Sequence, residues 1–537
     1  MLQKYPSSNN LIHAVHSVLA ELEASLANHG KKLADYNLPQ VPPEYIDQSQ
    51  LSKEINEELS VEIPAEDLQS IGKLNIDQAR AFRIILEAAT PSNEDCHHLF
   101  FVDDPGGSGK TFLYRALLAH FRQNGLIALA TATSGLATIM MPGGRTAHSR
   151  FKIPVPTTST STCKIGKHSG LALLLEKATI IIWDEATMTH RHAFEALDRS
   201  LRDITGVDDV FGGKLIVLGG DFRQFLPVVR RGKRTDVVNA CVRNSYLWDH
   251  VQIISLHQNM RALHDPDFAQ FLLRIGNGTE PLSADNLITL PQDMIIPWES
   301  EDSLQHLIST VFPDISMNAE NADYMINRAL LTTTNDQVDQ INEMVLSHFP
   351  CDEYSYFSFD SVEDDSRGLY QIDYLNSITP GNLPPHKLDL KKGCPIILTR
   401  NINPTDGLCN GTRLLCRNFY PNLIQSDIVA GSYKGKTAFL HRIPLKSTDD
   451  MKLSFSLTRK QFPIRLSFAL TIHRSQGQTI PFVGVYLPHN VFAHGQLYVV
   501  LSRGKSRENT RVMINDSHNT QRLTGSTENV VYTDILF

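Results

Sequence analysis

Between Leu99 and Phe121 an apolar run of strand length, a glycine-rich turn and an amphipathic helical pattern follow one another without a break. Leu99 to Val102 leads into Asp103-Asp104-Pro105-Gly106-Gly107-Ser108-Gly109-Lys110-Thr111, after which Leu113, Leu117 and Phe121 recur at helical spacing. A strand, a glycine loop and a helix in this order build a phosphate cradle. The glycines let successive N–H groups curl around anionic oxygens, and the helix N-terminus adds positive partial charge. In such a loop Gly106, Gly107, Ser108 and Gly109 line the phosphates, Lys110 reaches the β and γ phosphates, and the Thr111 hydroxyl ligates Mg²⁺. The cofactors this pattern calls for are ATP and Mg²⁺. One position departs from G-x-x-x-x-G-K-[ST]: Asp104 stands where the first glycine belongs. Asp tolerates left-handed backbone better than most residues, so the turn survives, but the residue sets a carboxylate near a triphosphate.

The surroundings of the loop repeat its logic. Leu126 to Thr131, Ala178 to Trp183 and Leu215 to Leu218 are β-rich runs alternating with helical segments, which predicts a parallel sheet with crossover helices. The run ending at Trp183 delivers Asp184 and Glu185 to a strand terminus, where Asp184 holds Mg²⁺ and Glu185 polarises the attacking water. The run ending at Leu218 delivers Gly219 to Gln224, with Gln224 placed to sense the γ-phosphate. A second set of strands begins near Ala329 to Thr332. It resumes with Phe468 to His473 and Phe482 to Leu487, and the stretch from Lys391 to Arg459 between them reads as short strands separated by Gly, Asn and Asp turns. The acidic and aromatic segment Cys351 to Asp365 has neither period nor cap and reads as a solvated loop. Residues 1–70 carry helical patches at Leu11 to Leu26 and Ile55 to Leu59 around the Pro-rich Leu38 to Tyr45, and no chemical motif.

Composition sets the outer limits. At roughly 150 residues per unit, the chain holds three or four folding units. With 537 residues that are 42% hydrophobic and 20% charged, it falls outside the collagen-like, coiled-coil and wholly disordered classes. A formal charge of −8 excludes a histone-like polycation but leaves room for a basic groove on an acidic body. No apolar run reaches membrane-spanning length and the first ten residues lack a secretory pattern, so neither a membrane partner nor secretion is expected. The seven cysteines never form C-x-x-C, which predicts free thiols rather than a zinc site or disulfide framework. His190-Arg191-His192 reads as the start of a helix rather than a metal site, and Arg230 to Arg234 as a solvated basic loop.

Further motifs make the pattern specific. Asp184-Glu185-Ala186 with Gly219 to Gln224, then Asn259-Met260-Arg261, Ser475-Gln476-Gly477-Gln478-Thr479 and Gln496 to Arg503, resemble successive superfamily-one helicase motifs in order and spacing. Glu195 to Lys214, ending Phe211-Gly212-Gly213-Lys214, is similar to the signature of the petite-integration-frequency (Pif-one) helicases. Ala132 to Gly135 followed by Pro142 to Ser149 resembles most closely the branch encoded by Helitron transposons. The resemblance covers residues 70 to 537.

The resemblance implies an α/β fold of two RecA-like P-loop NTPase domains with a small inserted SH3-like β-barrel and a short wedge insertion. The implied divisions are 1–70 as an unassigned extension, 71–245 as the first RecA-like domain with the wedge at about 144–175, 246–390 with 460–537 as the second, and 391–459 as the barrel. It implies an ATP-dependent 5′ to 3′ DNA helicase of repair, recombination, telomere maintenance or Helitron transposition. The partners would be single-stranded and duplex or forked DNA, and the setting nuclear, with a mitochondrial one as the alternative. By position, Gln78 resembles the adenine reader of a Q motif, and Arg261 and Arg503 the two arginine fingers. Thr133, Ser134, Gly135, His148, Ser475 and Gln476 resemble DNA contacts. Asp104 leaves a second reading open, a nucleic-acid-binding transposon remnant whose loop no longer turns ATP over.

Overall fold

Runs that are apolar at every position become strands buried on both faces. The computed structural model describes residues 32–40, 53–90, 97–283, 287–362, 370–378, 383–429, 431–447, 453–515 and 525–536, together with Val15, Leu19 and Leu22. The rest of the Leu11 to Leu26 pattern, the end of the Pro-rich stretch and Cys96 lie outside the described residues.

The first sheet contains β1 (Leu99–Asp103), β2 (Ala128–Ala132), β3 (Arg145–Thr146), β4 (Ile180–Asp184), β5 (Leu215–Gly220) and β6 (Gln252–Ser255). Its order is β3-β2-β4-β5-β1-β6, and every pairing is parallel. Phe101, Leu129, Ile181 and Trp183 pack into a core on one face, and Phe100, Val102, Ala130 and Ile182 into a core on the other. Helices cover both faces of such a sheet, which is why its strands lack a polar alternation. The first sheet also runs past the expected division at 245, because β6 pairs with β1 from Phe100↔Gln252 to Asp103↔Ser255.

The second parallel sheet has the order β19-β8-β20-β21, built from β8 (Arg328–Thr332), β19 (Ala469–Thr471), β20 (Phe482–Leu487) and β21 (Thr510–Ile514). β7 (Ile288–Thr289) and β22 (Ser526–Thr527) form a short antiparallel pair.

Antiparallel strands occupy a wider span than 391–459. β9 (Glu353–Phe357) pairs with β11 (Lys387–Lys391), and β10 (Phe359–Val362) joins β16 (Ile443–Lys446) and β17 (Leu457–Gln461). A five-stranded sheet has the order β15-β14-β13-β12-β18, from β12 (Pro395–Leu398), β13 (Arg413–Tyr420), β14 (Leu423–Ile428), β15 (Thr437–His441) and β18 (Ile464–Leu466). The expected loop at Cys351 to Asp365 is therefore strand over most of its described length. What holds it is remote in sequence: Arg459 of β17 grips both carboxylate oxygens of Asp360, at 2.6 to 3.1 Å, with both side chains fully buried.

The N-terminal residues from 53 to 70 are docked on the first unit rather than extended from it. A helix over 53–59 places Glu58 on Arg150, with Arg122 3.9 Å away, and Asp67 in the helix Ala65–Ser70 takes Arg115 at 2.7 Å. The segment expected as a wedge has helices at Ala147–Phe151 and Gly170–Lys177, and Phe151, Ile153 and Cys163 enter the core of the first unit.

Candidate nucleotide and nucleic-acid site

The C-terminal edge of the first sheet carries the chemistry. β1 ends at Asp103, the loop turns through Gly107 at φ +104° and Gly109 at φ +87°, and the helix Lys110–Gln123 begins. Gly107 is required by crowding as well as by φ: a Cβ there would lie 2.8 Å from Cβ of Arg261 and 2.9 Å from Oδ1 of Asn259. Asp104 is not among the described non-glycine residues with positive φ, so its place in the turn demands no left-handed backbone.

Lys110 is buried between two carboxylates, with Nζ 3.3 Å from Asp184 Oδ1 and 3.5 Å from Asp104 Oδ2. Burial alone would lower its pKa, but Asp184, Asp104 and Glu185 together raise it well above the ordinary lysine value. The carboxylates respond the other way. Burial raises Asp104 despite Lys110 and the Ser108 hydrogen bonds, and raises Glu185 despite Lys110, with Asp184 adding to the rise. Carboxylates outnumber the ammonium among them, so Lys110 is over-satisfied while Asp104 and Glu185 are under-satisfied.

Asp184 Oδ1 accepts the Glu185 N–H at 2.8 Å, and Glu185 itself adopts φ +54°, which turns its carboxylate out of the strand direction. Thr111 sits beside Lys110 in the first helical turn. Gln224 lies against Gly106; its Nε2 donates to Asp221 at 3.2 Å, and its Oε1 is buried without a partner. Gln78 caps its own helix through a reciprocal bond with Asn75, and its Nε2 donates to the Ser108 carbonyl at 3.0 Å. Its amide therefore braces the loop from below, and both ends are already engaged.

The second unit reaches this loop directly. Met260 and Arg261 donate their N–H groups to the Gly107 carbonyl at 2.9 and 3.1 Å, and the Arg261 guanidinium donates to the Ser502 carbonyl at 2.5 Å. Arg503 is buried, with donors directed at Val499 O, Gln478 O and Ser502 Oγ, and burial with Arg261 nearby pushes it down to about 9. It still carries charge at neutral pH.

Three residues that no sequence pattern assigned complete the junction. Asp221, fully buried, accepts the Gly106 N–H at 3.0 Å and pairs with Arg223 at 3.1 Å. Tyr498 accepts the same Gly106 N–H at 2.8 Å from the opposite unit. His494 reaches the Phe222 carbonyl at 2.7 Å, and the neighbouring Gly495 packs where a Cβ would lie 2.3 Å from the Arg223 carbonyl. Asp221 stands inside the Gly219 to Gln224 run, where its position past a strand end was a usable signal. Tyr498 lies within the Gln496 to Arg503 run that resembles a helicase motif, but in an almost wholly apolar helix that gives no sign of its role.

The expected DNA contacts divide. Thr133 donates to the Glu185 carbonyl at 2.7 Å and accepts from Trp183 Nε1 at 3.1 Å, Ser134 caps the helix Gly135–Ile139, and His148 is half-buried with its pKa lowered by burial. Gly135 meets the antiparallel region, since a Cβ there would lie 2.7 Å from the Asn410 carbonyl. Ser475 and Gln476 do not face outward. Ser475 is fully buried on the Ile472 carbonyl, and Gln476 Nε2 donates to Glu185 Oε2 at 3.0 Å. The backbone turns here because β19 ends at Thr471 and a 3-10 turn carries Ile472–Ser475 across the cleft. His473 lies on that turn with its ring stacked 3.9 Å over Phe225.

A phosphate loop at the edge of one parallel sheet, closed over by arginines from a second, defines a two-unit P-loop protein. Residues 73–286 match the family described as PIF1-like helicase, and residues 373–419 match the DNA helicase Pif1, 2B domain. The ATP-dependent DNA helicase PIF1 of Xenopus laevis is 26% identical over 454 residues, which are 83% of this chain and 64% of that protein. Its counterpart in Danio rerio is 28% identical over 424 residues, 77% of this chain and 58% of that protein. The Pif1 of Campylobacter jejuni is 25% identical over 429 residues, 77% and 88% of the two chains. The chain thus spans less than two thirds of the two vertebrate relatives. Among solved structures, Bacteroides Pif1 bound to ssDNA superposes with a TM-score of 0.58 at 23% identity, over 82% of this chain and 92% of that one. The Pif1 helicase from Candida albicans gives 0.56 at 21%, over 85% and 97%. These likenesses carry the fold, two RecA-like units. The chain belongs to the PIF1-like helicase family.

Proposed function

We propose that this chain is an ATP-dependent DNA helicase that tracks 5′ to 3′ on single-stranded DNA and separates duplex or forked DNA. The observation that carries the reading is the junction itself: Lys110, Asp184, Glu185 and Gln224 of one unit meet Arg261, Gln476 and Tyr498 of the other at one loop. The names of the curated relatives support the same activity.

In this reading Gly106, Gly107, Ser108, Gly109 and Lys110 hold the phosphates of ATP. The loop fits that group: Gly107 and Gly109 adopt positive φ and the Lys110 ammonium stands at its end, while Gln224 Oε1, a buried acceptor with no protein partner, suits a water rather than the phosphates. Thr111 and Asp184 hold Mg²⁺, a hard cation suited to one or two protein oxygens plus phosphate. When bound, Mg²⁺ neutralises charge on the transferring phosphoryl. Glu185, its proton affinity raised by burial, accepts a proton from water that Gln224 orients. Arg261 and Arg503 stabilise phosphoryl charge when the cleft narrows, which links hydrolysis to the spacing of the units. Gln78 braces the loop through the Ser108 carbonyl and would be the residue beside the adenine. Thr133, Ser134, Gly135 and His148 track the DNA backbone, while Ser475 and Gln476 stand behind that surface. A nuclear or mitochondrial setting follows from work on DNA. Among the described residues no helix is long and apolar enough to cross a membrane.

The test is steady-state ATP hydrolysis with and without single-stranded DNA, beside Lys110→Ala, followed by unwinding of duplexes with a 5′ or a 3′ tail. DNA-stimulated turnover lost in Lys110→Ala, with unwinding of the 5′-tailed substrate, is the expected result. DNA binding with turnover no higher than Lys110→Ala would replace the motor with a non-catalytic DNA-binding protein.

A further inference from the structure

The proposed activity leaves the buried carboxylate of Asp104 in the phosphate loop without a task, and its surroundings give it one. Its backbone N–H donates to the Gly220 carbonyl at 3.3 Å, which fixes it at the sheet edge. Its side chain is buried and turned into the loop. Oδ1 accepts the Ser108 N–H at 3.1 Å and also the Ser108 hydroxyl, while Oδ2 lies 3.5 Å from Lys110 Nζ. A glycine at this position offers none of these contacts.

Loop amides and the loop lysine are the donors that a P-loop turns toward phosphate oxygens. Here the same donors already serve a fixed internal anion. We infer that Asp104 is an affinity-setting residue of the nucleotide site, an internal carboxylate that competes with the phosphate chain for Ser108 and Lys110. The inference rests on the reading of this loop as a nucleotide site.

Two opposing consequences have to be weighed. By tying Ser108 back, Asp104 holds the loop curled, which favours any anion that fits it. By keeping a negative charge in a buried site beside the phosphates, it disfavours them, and a charge buried this deeply is poorly screened. The curl has other supports: Asp221 and Tyr498 on Gly106, Gln78 on the Ser108 carbonyl, and Met260 and Arg261 on the Gly107 carbonyl. The charge has less relief, because Lys110 is shared with Asp184 at 3.3 Å and the Arg261 guanidinium is engaged by Ser502. Repulsion therefore outweighs preorganisation, and removing the charge tightens nucleotide binding.

The experiment measures the Kd of a fluorescent ATP analogue with Mg²⁺ for the unaltered chain, Asp104→Asn, Asp104→Gly and Lys110→Ala, with thermal unfolding followed for each. Asp104→Asn keeps an acceptor for Ser108 and removes only the charge, so it separates competition from loop shape even if Asp104→Gly folds poorly. A Kd at least tenfold lower in Asp104→Asn supports the inference. A Kd within twofold of the unaltered chain, or a higher one, overturns it while leaving the nucleotide site intact. No binding in any of the four chains would overturn both the inference and the reading beneath it.

Discussion

Gln476 donates from Nε2 to Oε2 of Glu185 across 3.0 Å, joining the second unit to the carboxylate we propose as the activator of water in the first. Gln476 ends the turn that follows β19, and His473 and Arg474 lie on the same turn. In the proposed mechanism this bond links the turn to the general base without passing through the nucleotide.

The bond predicts a separation between binding and turnover. Gln476→Ala leaves Glu185 buried with one donor fewer and free to reorient, and misplacement by about an ångström lowers rates by on the order of a hundredfold. The expected outcome is a ten- to hundredfold lower kcat for DNA-stimulated hydrolysis, on that same scale, with nucleotide Kd nearly unchanged. Gln476→Glu, which sets a second carboxylate against Glu185, is expected to be worse. Steady-state kinetics beside equilibrium nucleotide binding checks both.

The buried Asp360–Arg459 pair makes a stability prediction. Arg459 keeps bonds to the Pro384 and Leu375 carbonyls, at 3.1 Å each, but without Asp360 it is a buried cation with no counter-charge. Breaking one side of such a pair destabilises by about 3–5 kcal/mol. Asp360→Ala is expected to lower the unfolding free energy by that amount in urea titration, while a double replacement by apolar residues of similar volume recovers most of it.

Local pattern reached the fold where the strands were apolar at every position, as at Ile180 to Trp183, and where glycines and a lysine follow a strand. It failed where pairing partners are distant. Glu353 to Val362 alternates aromatic and polar residues only in two short stretches broken at Tyr356-Phe357, too short to read as a period, and becomes strand through Lys387–Lys391 and Leu457–Gln461, far along the chain. The nucleotide side of the site was legible because its residues lie within the loop and at two strand ends. Tyr498 and the inward turn of Gln476 were not, because each acquires its role from the opposite unit.

Glu58 and Arg150 extend the same reasoning to the N-terminal segment. Arg150 lies two residues past His148, one of the residues that resemble DNA contacts, yet it is buried on Glu58, whereas Arg145 is half-exposed and pairs with Glu57 at 3.1 Å. Glu58→Ala is expected to lower stability by about 3 kcal/mol and to open residues 53–62 to protease. Limited proteolysis followed by mass spectrometry reads the site of cleavage.

The pH dependence of stability is expected to carry the mark of Asp103. Burial, opposed by Arg223 and reinforced by Asp221 and Asp104, pushes its carboxyl from 3.8 up to about 6. Between these two values the folded chain holds a proton that the unfolded chain has released. Stability from this group is therefore fully present below 3.8 and is lost as pH rises through about 6. The loss is on the order of 3 kcal/mol, from roughly two pKa units. Asp103→Asn cannot ionise, and Arg223 keeps Asp221 at 3.1 Å and Asn277 at 2.8 Å as partners. The variant is expected to be more stable than the unaltered chain at pH 7 and to show a flatter profile from pH 4 to 6. Urea unfolding at half-unit pH steps measures both, and identical slopes in the two chains would assign the proton to another group.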